Sequence, residues 1–208
     1  MPYATDVNEM SPVGDTAAAF LSQAVAEGWP LRRGSAVTWL TNRGHANTHL
    51  VEGLDTHMLA SLRDIFLALN GDETELASIG ERALPPDFFL GELNRVVELD
   101  ESQHFTSARL KTLDLYPEGI QLGFDLAEYR EFCQTLSEAS DRDFSHKTAR
   151  QFPGPHGRQR QRAYFDALRD LAAPAFGQGP VIRVPAPERD SALAFSRFED
   201  SVRSHYHG

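Results

Sequence analysis

Residues 86–100 read PDFFLGELNRVVELD and carry the most informative pattern of the sequence. Two stretches rich in apolar residues, 88–90 and 95–99, flank the turn-forming residues 91–94, which is the pattern of two strands joined by a tight loop. A four-residue loop pairs Leu90 with Arg95 and places Asp87 opposite Glu98. The stretch therefore predicts a β-hairpin that carries two carboxylates side by side.

The carboxylates of this hairpin predict a metal site. Directly opposed Cβ atoms lie roughly 4.5 to 5.5 Å apart, and like charges at that separation are destabilising unless a cation lies between them. The period of two in a strand places Asp100 on the same face as Glu98. Hard oxygen ligands suit Mg²⁺ or Mn²⁺ better than zinc, and such an ion can activate water and neutralise charge on a phosphodiester. We expect Asp87 and Glu98 to be metal ligands, with Asp100 as the candidate third.

The same residues resemble a known pattern. Pro86-Asp87, ten further residues and then Glu98-Leu99-Asp100 resemble the PD-(D/E)XK pattern of the restriction-endonuclease-like superfamily, in which the Asp and Glu bind the catalytic metal. The run 96–105 further resembles the very-short-patch-repair (Vsr-like) endonucleases and their uncharacterised relatives. In that branch the usual lysine is absent, and a histidine six residues after the Glu stands near the scissile phosphate. His104 occupies that place.

The resemblance implies a fold and a mechanism. It implies a mixed central sheet flanked by helices, in the α/β (α+β) class, and a metal-dependent endonuclease. The relatives continue with a helix bearing Asp-x-x-Arg-Asp and a strand carrying Arg, and residues 166–170 and 181–184 look similar. The lysine position is Asp100, which cannot support an attacking hydroxide as an ammonium would. His104 is then the candidate base or water-orienting group. The candidates for stabilising the phosphate charge are Arg109, Lys111, Arg160 and Arg162.

The remaining chain predicts one domain. We expect a flexible tail over residues 1–14 and a single nuclease-like domain over 15–208, with its core at about 56–105 and 158–185 and an inserted helical and loop excursion at about 106–157. Apolar periodicity and capping residues predict the other elements. Helices are expected at 15–27, from 56 to about 69, from 125 and at 160–172 and 192–203; strands are expected at 36–40, 75–79 and 180–184; 42–52 and 137–157 are read as loop or surface excursion.

Charge and composition limit the classes of partner. A net charge of −10 and a pI near 5.2 argue against a protein that coats DNA with its whole surface. A local basic strip, formed by Arg158, Arg160 and Arg162 with Lys147 and Arg150 upstream, still predicts contact with nucleic-acid phosphates, and Gln103, Arg109 and Lys111 are further candidates. One cysteine, no leader-like segment and no long apolar run predict a cytoplasmic protein without membrane contact.

Three functions compete. The favoured one is an endonuclease acting on DNA in restriction, repair or phage defence, as a homodimer or with a partner protein of such a system. The alternative is a catalytically inactive nuclease-fold module that binds nucleic acid or assists assembly, and a third is a small-molecule hydrolase that needs no basic strip. His104 also fits a structural histidine, and the arginine run also fits a solvated helix start. The superfamily normally has a further acidic residue on the preceding helix, and the sequence does not choose between Glu52, Asp55 and Asp64 for this position.

Overall fold

The computed structural model describes residues 15–206, so the predicted tail at 1–14 lies outside the described residues. Within this range the helices are α1 (Asp15–Ala26), α2 (Thr48–Gly53), α3 (Thr56–Ala68), α4 (Glu73–Ser78), α5 (Ser107–Leu113), α6 (Leu126–Phe144), α7 (Gly157–Ala172) and α8 (Ser191–Tyr206). The strands are β1 (Leu31–Arg33), β2 (Phe88–Leu90), β3 (Arg95–Asp100) and β4 (Ile182–Pro185). None of these helices is long and apolar enough to cross a membrane.

The four strands form one mixed sheet in the order β1-β2-β3-β4. The first three are antiparallel, and β4 runs parallel to β3 with Glu98 opposite Arg183. The predicted hairpin register is confirmed, since Leu90 pairs with Arg95 and Phe88 with Val97. The predicted class, a mixed sheet flanked by helices, is therefore correct at the level of α+β architecture.

The two faces of the sheet bury different clusters. Phe88, Val97 and Leu99 pack with residues of α1 and α8 on one face. Val96 and Phe89 pack on the other face, against a cluster to which α3 and α7 contribute. Because side chains alternate along a strand, Glu98 and Asp100 share the face of Val96. The acidic residues of β3 thus point toward α7.

Residues 106–157 are more ordered than predicted. α5 packs against both α6 and α7, and a third apolar cluster forms around Phe105, Leu113 and Tyr129. Asp125 caps α6 as expected, accepting from the backbone N–H groups of Ala127 and Glu128 at 2.8 and 3.0 Å. The helix continues to Phe144, so the first part of the predicted surface excursion is helical.

Three local predictions are wrong, and side-chain caps explain two of them. The stretch 75–79 lies mostly in α4, because Asp72 accepts a hydrogen bond from the Glu75 N–H at 3.0 Å and starts a helix. The predicted loop 42–52 contains most of α2, which Asn47 caps in the same way. The predicted strand at 36–40 is irregular, although Trp39 and Leu40 are buried. The edge strand lies earlier, at β1.

Candidate active site

A cleft of about 200 Å³ lies between the hairpin and α7. It brings together five residues that the sequence had singled out: Asp87, Glu98, His104, Arg158 and Arg162. The other lining residues are Arg82, Leu84, Gln161, Phe165, Asp166 and Arg169. The cleft is thus rich in both carboxylates and guanidinium groups, which is suited to a substrate that carries phosphate and to a bound cation.

Backbone hydrogen bonds hold the segment that carries Asp87, the first of the two predicted ligands. Oδ2 of Asp87 accepts a hydrogen bond from the backbone N–H of Leu99 at 3.0 Å, which fixes this carboxylate beside β3. The carbonyl of Asp87 accepts from the N–H of Gly34 at 3.0 Å. A Cβ atom at Gly34 would lie 2.0 Å from the carbonyl oxygen of Pro86, so the close approach of this segment requires glycine.

Glu98 is a buried carboxyl group of the cleft whose pKa is strongly raised. It is 3% exposed, and burial raises its pKa to about 8, while Arg169 opposes the rise and the charge of Asp87 adds to it. Nε of Arg169 lies 3.0 Å from Oε1 of Glu98. Both atoms are buried, yet they form no aligned hydrogen bond with each other or with another described group. The carboxylate therefore has capacity for a further cation.

This arrangement fits a hard divalent ion. An exposed Asp87 and a buried Glu98 offer carboxylate oxygens at one cleft, and oxygen ligands of this kind are those that Mg²⁺ and Mn²⁺ prefer. The buried Oε1 without an aligned partner is the observation that favours a cation there. These two residues would hold the ion.

A second acidic group lies behind the cleft. Among the residues that the structure describes, Asp100, His104 and Asp166 each offer a ligand atom within 4.8 Å of the others. Nη1 of Arg183, however, lies 2.9 and 2.8 Å from the two oxygens of Asp100. A guanidinium already neutralises this carboxylate, so the group is better suited to supporting His104 than to binding an ion. The role of Asp100 as a third metal ligand stays a prediction.

Arg183 connects β4 to α7 through buried ion pairs. Its Nε lies 2.7 Å from Oδ1 of Asp170, and Arg109 holds the other oxygen of Asp170 at 2.7 Å. Burial opposes the charge of Arg183, but Asp100, Asp170 and Asp166 raise its pKa well above the ordinary value. Burial also disfavours the charge of Asp166, but His104 and Arg183 keep its pKa below the usual range. The rear of the cleft is therefore a fixed array of charges.

The comparisons with known proteins give a family without an assigned role. Residues 64–197 match the family of unknown function DUF7255. The chain belongs to this family. No curated protein and no solved structure matches it. The matched part of this DUF7255 chain includes every residue that lines the cleft, from Arg82 to Arg169.

The predicted basic strip divides into two groups in the DUF7255 chain. Arg158 and Arg162 line the cleft, whereas Arg160 donates to the carbonyls of Leu69, Pro153 and Pro155 at 3.0, 2.6 and 3.0 Å. Successive residues of a helix are separated by about 100°, so Arg160 lies on the side opposite its two neighbours. The prediction that Arg160 belongs to the same strip is wrong.

Two further predicted nucleic-acid contacts lie elsewhere. Arg109 is 1% exposed and is bound to Asp170 and Tyr116, so it cannot reach a polymer at the surface. Lys111 donates to the carbonyl of Ala68 and lines a different cavity, which it shares with Arg160. Upstream of α7, Arg150 pairs with Glu75 at 2.6 Å rather than extending the strip.

Gln103 and the three candidate acids upstream of the hairpin lie outside the cleft. The carbonyl of Gln103 accepts from Nη1 of Arg162 at 3.4 Å, and Gln103 does not line the cleft. Asp55 caps α3, accepting from Met58 N–H at 2.8 Å. None of the three acids considered upstream, Glu52, Asp55 and Asp64, lines the cleft. The further acidic residue that lines the cleft is Asp166 of α7.

Three charged residues of the cleft were not predicted as site residues: Arg82, Asp166 and Arg169. A signal for two of them was present, because Arg158, Arg162, Phe165, Asp166 and Arg169 recur at intervals that place them on one face of a helix. The same face begins with the arginines already singled out. Arg82 lies in an irregular segment, and no pattern in the sequence points to it.

Proposed function

We propose that this DUF7255 chain is a metal-dependent endonuclease that hydrolyses phosphodiester bonds of nucleic acid, with DNA as the expected substrate. One observation carries the proposal: a single cleft combines two adjacent carboxylates, a histidine supported by carboxylates, and arginines of α7. A surface that only carries solvated charge keeps its carboxylates exposed to water, whereas Glu98 is buried beside Asp87. The finer assignment to a restriction-endonuclease-like fold is part of this proposal and rests on the hairpin motif.

Asp87 and Glu98 are the residues that would hold Mg²⁺ or Mn²⁺. When bound, such an ion supplies Lewis-acid stabilisation of the negative charge that develops on the phosphate. Asp87 is fixed by the backbone of β3 through its hydrogen bond with Leu99. The protein's contribution is therefore a preorganised pair of oxygen ligands.

His104 is the proposed proton-transfer group. Its Nδ1 lies 2.9 Å from Oδ2 of Asp166, and since a carboxylate can only accept, Nδ1–H is the donor. Nε2 is then the nitrogen free to take a proton from the attacking water or to orient it. The guanidinium groups of Arg158 and Arg162 bind the substrate phosphates, as arginine does in planar, bidentate contacts.

A second candidate function is a nucleic-acid-binding or assembly module without turnover. The observation that favours it is the state of the lysine position, where Asp100 is fully engaged by Arg183 and supplies no cation to the cleft. The two functions share the binding surface and differ in catalysis.

A cleavage assay separates the two. Supercoiled plasmid and single-stranded oligonucleotides are incubated with purified protein in Mg²⁺, in Mn²⁺ and in EDTA. We expect cleavage with metal, none in EDTA, and loss of cleavage in Glu98→Gln. Asp64→Asn is the matched control, because it removes an exposed acid outside the cleft and should keep full activity. Binding without cleavage under every metal condition would favour the inactive module.

A further inference from the structure

Arg169 occupies an unusual position in the cleft. It lies on α7 with 12% of its side chain exposed, and its Nε is 3.0 Å from Oε1 of Glu98. Its Nη1 donates to the carbonyl of Phe165 at 3.1 Å and lies 4.0 Å from Oδ1 of Asp166. Two carboxylates and one helix carbonyl therefore surround a guanidinium that faces the open cleft.

The contrast with Arg183 shows that Arg169 is the less firmly held of the two. Arg183 is fully buried and donates to Asp100 at 2.9 and 2.8 Å and to Asp170 at 2.7 Å. Nε of Arg169 and Oε1 of Glu98 are close but form no aligned hydrogen bond. Charge-assisted hydrogen bonds are strong when well aligned and weaken steeply with angle. Arg183 is therefore a fixed structural cation, and Arg169 is an exchangeable one.

The carboxylate of Glu98 cannot bind Arg169 and a divalent ion with full strength at the same time. Two cations at one carboxylate oxygen repel each other strongly in a buried site. We propose that Arg169 substitutes for the metal at Glu98 in the metal-free protein, and that metal binding releases its guanidinium to bind the substrate phosphate. This inference rests on the proposed function, because it needs Glu98 to be a metal ligand. It makes Arg169 a phosphate-binding residue whose availability depends on the metal.

The first test measures Mn²⁺ affinity by calorimetry without nucleic acid. Arg169→Gln removes the competing cation, so it should bind Mn²⁺ about tenfold more tightly than the wild type, within the range of typical coupling between sites. Arg162→Gln is the matched control, because it removes the same charge from the same cleft without the contact to Glu98. Its Mn²⁺ affinity should change by a clearly smaller factor.

The second test measures binding of inorganic phosphate in metal-free buffer, and both tests are carried out at pH 8.5, above the pKa of about 8 that burial gives Glu98. Glu98→Gln should free Arg169 and bind phosphate more tightly than Asp87→Asn, although both variants remove one negative charge from the cleft. The double variant Glu98→Gln, Arg169→Gln should lose that gain. This arm needs no metal and no cleavage, and it remains informative if Arg169→Gln alone is too unstable to study. Melting curves of each variant establish that it is folded.

The outcomes distinguish the exchange from the proposed function. If the wild type binds Mn²⁺ and Glu98→Gln does not, while Arg169→Gln binds no more tightly than Arg162→Gln, the exchange is wrong and the metal site stands. If Glu98→Gln and Asp87→Asn bind phosphate equally, the release of Arg169 to phosphate is wrong. If neither the wild type nor Arg169→Gln binds Mn²⁺, the metal site and the exchange both fail.

Discussion

His104 and Asp166 form the contact that orients the proposed proton-transfer group. Nδ1 of His104 lies 2.9 Å from Oδ2 of Asp166 and 3.2 Å from Oδ1 of Asp100, and the two carboxylates are buried. The contact joins the short helix 102–104 after β3 to the middle of α7. The orientation of the imidazole thus depends on residues 62 positions apart in the chain.

Replacing His104 by Ala should slow cleavage by about a hundredfold or more, because a positioned acid or base contributes that much. Mn²⁺ affinity should stay nearly unchanged, since Asp87 and Glu98 are intact. Single-turnover cleavage and calorimetry measure the two quantities. Asp166→Asn removes the charged acceptor that fixes the Nδ1–H tautomer of His104, so we expect it to lower the cleavage rate by a comparable factor. A cleavage rate that is the same in wild type and His104→Ala would assign His104 to structure.

The pKa of Glu98 predicts how stability depends on pH. Its folded-state pKa of about 8 lies above the ordinary value of 4.5, so the folded protein holds an extra proton between these two pH values. The contribution of this group to the free energy of unfolding therefore falls as pH rises from about 4.5 to about 8. Glu98→Gln should become progressively more stable than the wild type over that window, by up to about 5 kcal/mol at pH 9. Urea unfolding in EDTA at several pH values measures it, and a difference that does not vary with pH would contradict the prediction.

The carboxylate pair also predicts a response of the melting temperature to metal. At pH 8.5 the wild type should melt at a higher temperature in millimolar Mg²⁺ or Mn²⁺ than in EDTA, because an ion that binds only the folded state stabilises it. The double variant Asp87→Asn, Glu98→Gln should melt at or above the wild-type temperature in EDTA and should not respond to metal. A double variant that still responds would move the site to Asp100 and its neighbours.

The division of the basic strip predicts different effects of its arginines. The double variant Arg158→Ala, Arg162→Ala should weaken DNA binding and reduce the salt dependence of the binding constant by about one power per lost phosphate contact. Arg160→Ala should leave that slope unchanged, because its guanidinium donates to the carbonyls of residues 69, 152, 153 and 155. It should instead lower the melting temperature. Fluorescence anisotropy with a labelled duplex over a series of salt concentrations compares the variants, and equal slopes would mean that this face does not contact phosphate.

Arg109 should affect stability rather than binding. Arg109→Met removes one of the two buried guanidinium partners of Asp170, and breaking a buried pair typically costs about 3–5 kcal/mol. Arg130→Met is the control, because its pair with Asp114 is largely exposed and is expected to contribute about 1 kcal/mol or less. Chemical unfolding of both variants measures the costs. A similar small cost for both would show that the buried pair is not required for the fold.

Local patterns were sufficient to predict the hairpin and several helices. The register of β2 and β3 follows from the alternation of 88–90 and 95–99 around a short loop, and the Asp125 cap and α3 follow from equally local signals. α4 was misread as a strand, although Asp72 followed three residues later by Glu75 has the pattern of a capping box. Leu76 and Ile79 fit a short strand as well as a helix, so apolar spacing alone does not distinguish the two over so few residues.

Site residues that lie close together in the sequence were predictable, whereas contacts between residues far apart in the sequence were not. Asp87, Glu98 and His104 come from one continuous stretch, and all three line the cleft. The pairing of Arg109 with Asp170 joins residues 61 positions apart, so no local pattern distinguishes Arg109 from a surface arginine. The contact of Arg169 with Glu98 is equally non-local.

Gly34 extends the candidate site beyond the groups that perform chemistry. Its N–H binds the carbonyl of Asp87, and a methyl group at this position would collide with the backbone of Pro86. Neither β1 nor the backbone at Pro86 can move aside without displacing the segment that carries the Asp87 carboxylate. An alanine scan of this protein would therefore find an effect on the candidate site at a residue without a side chain.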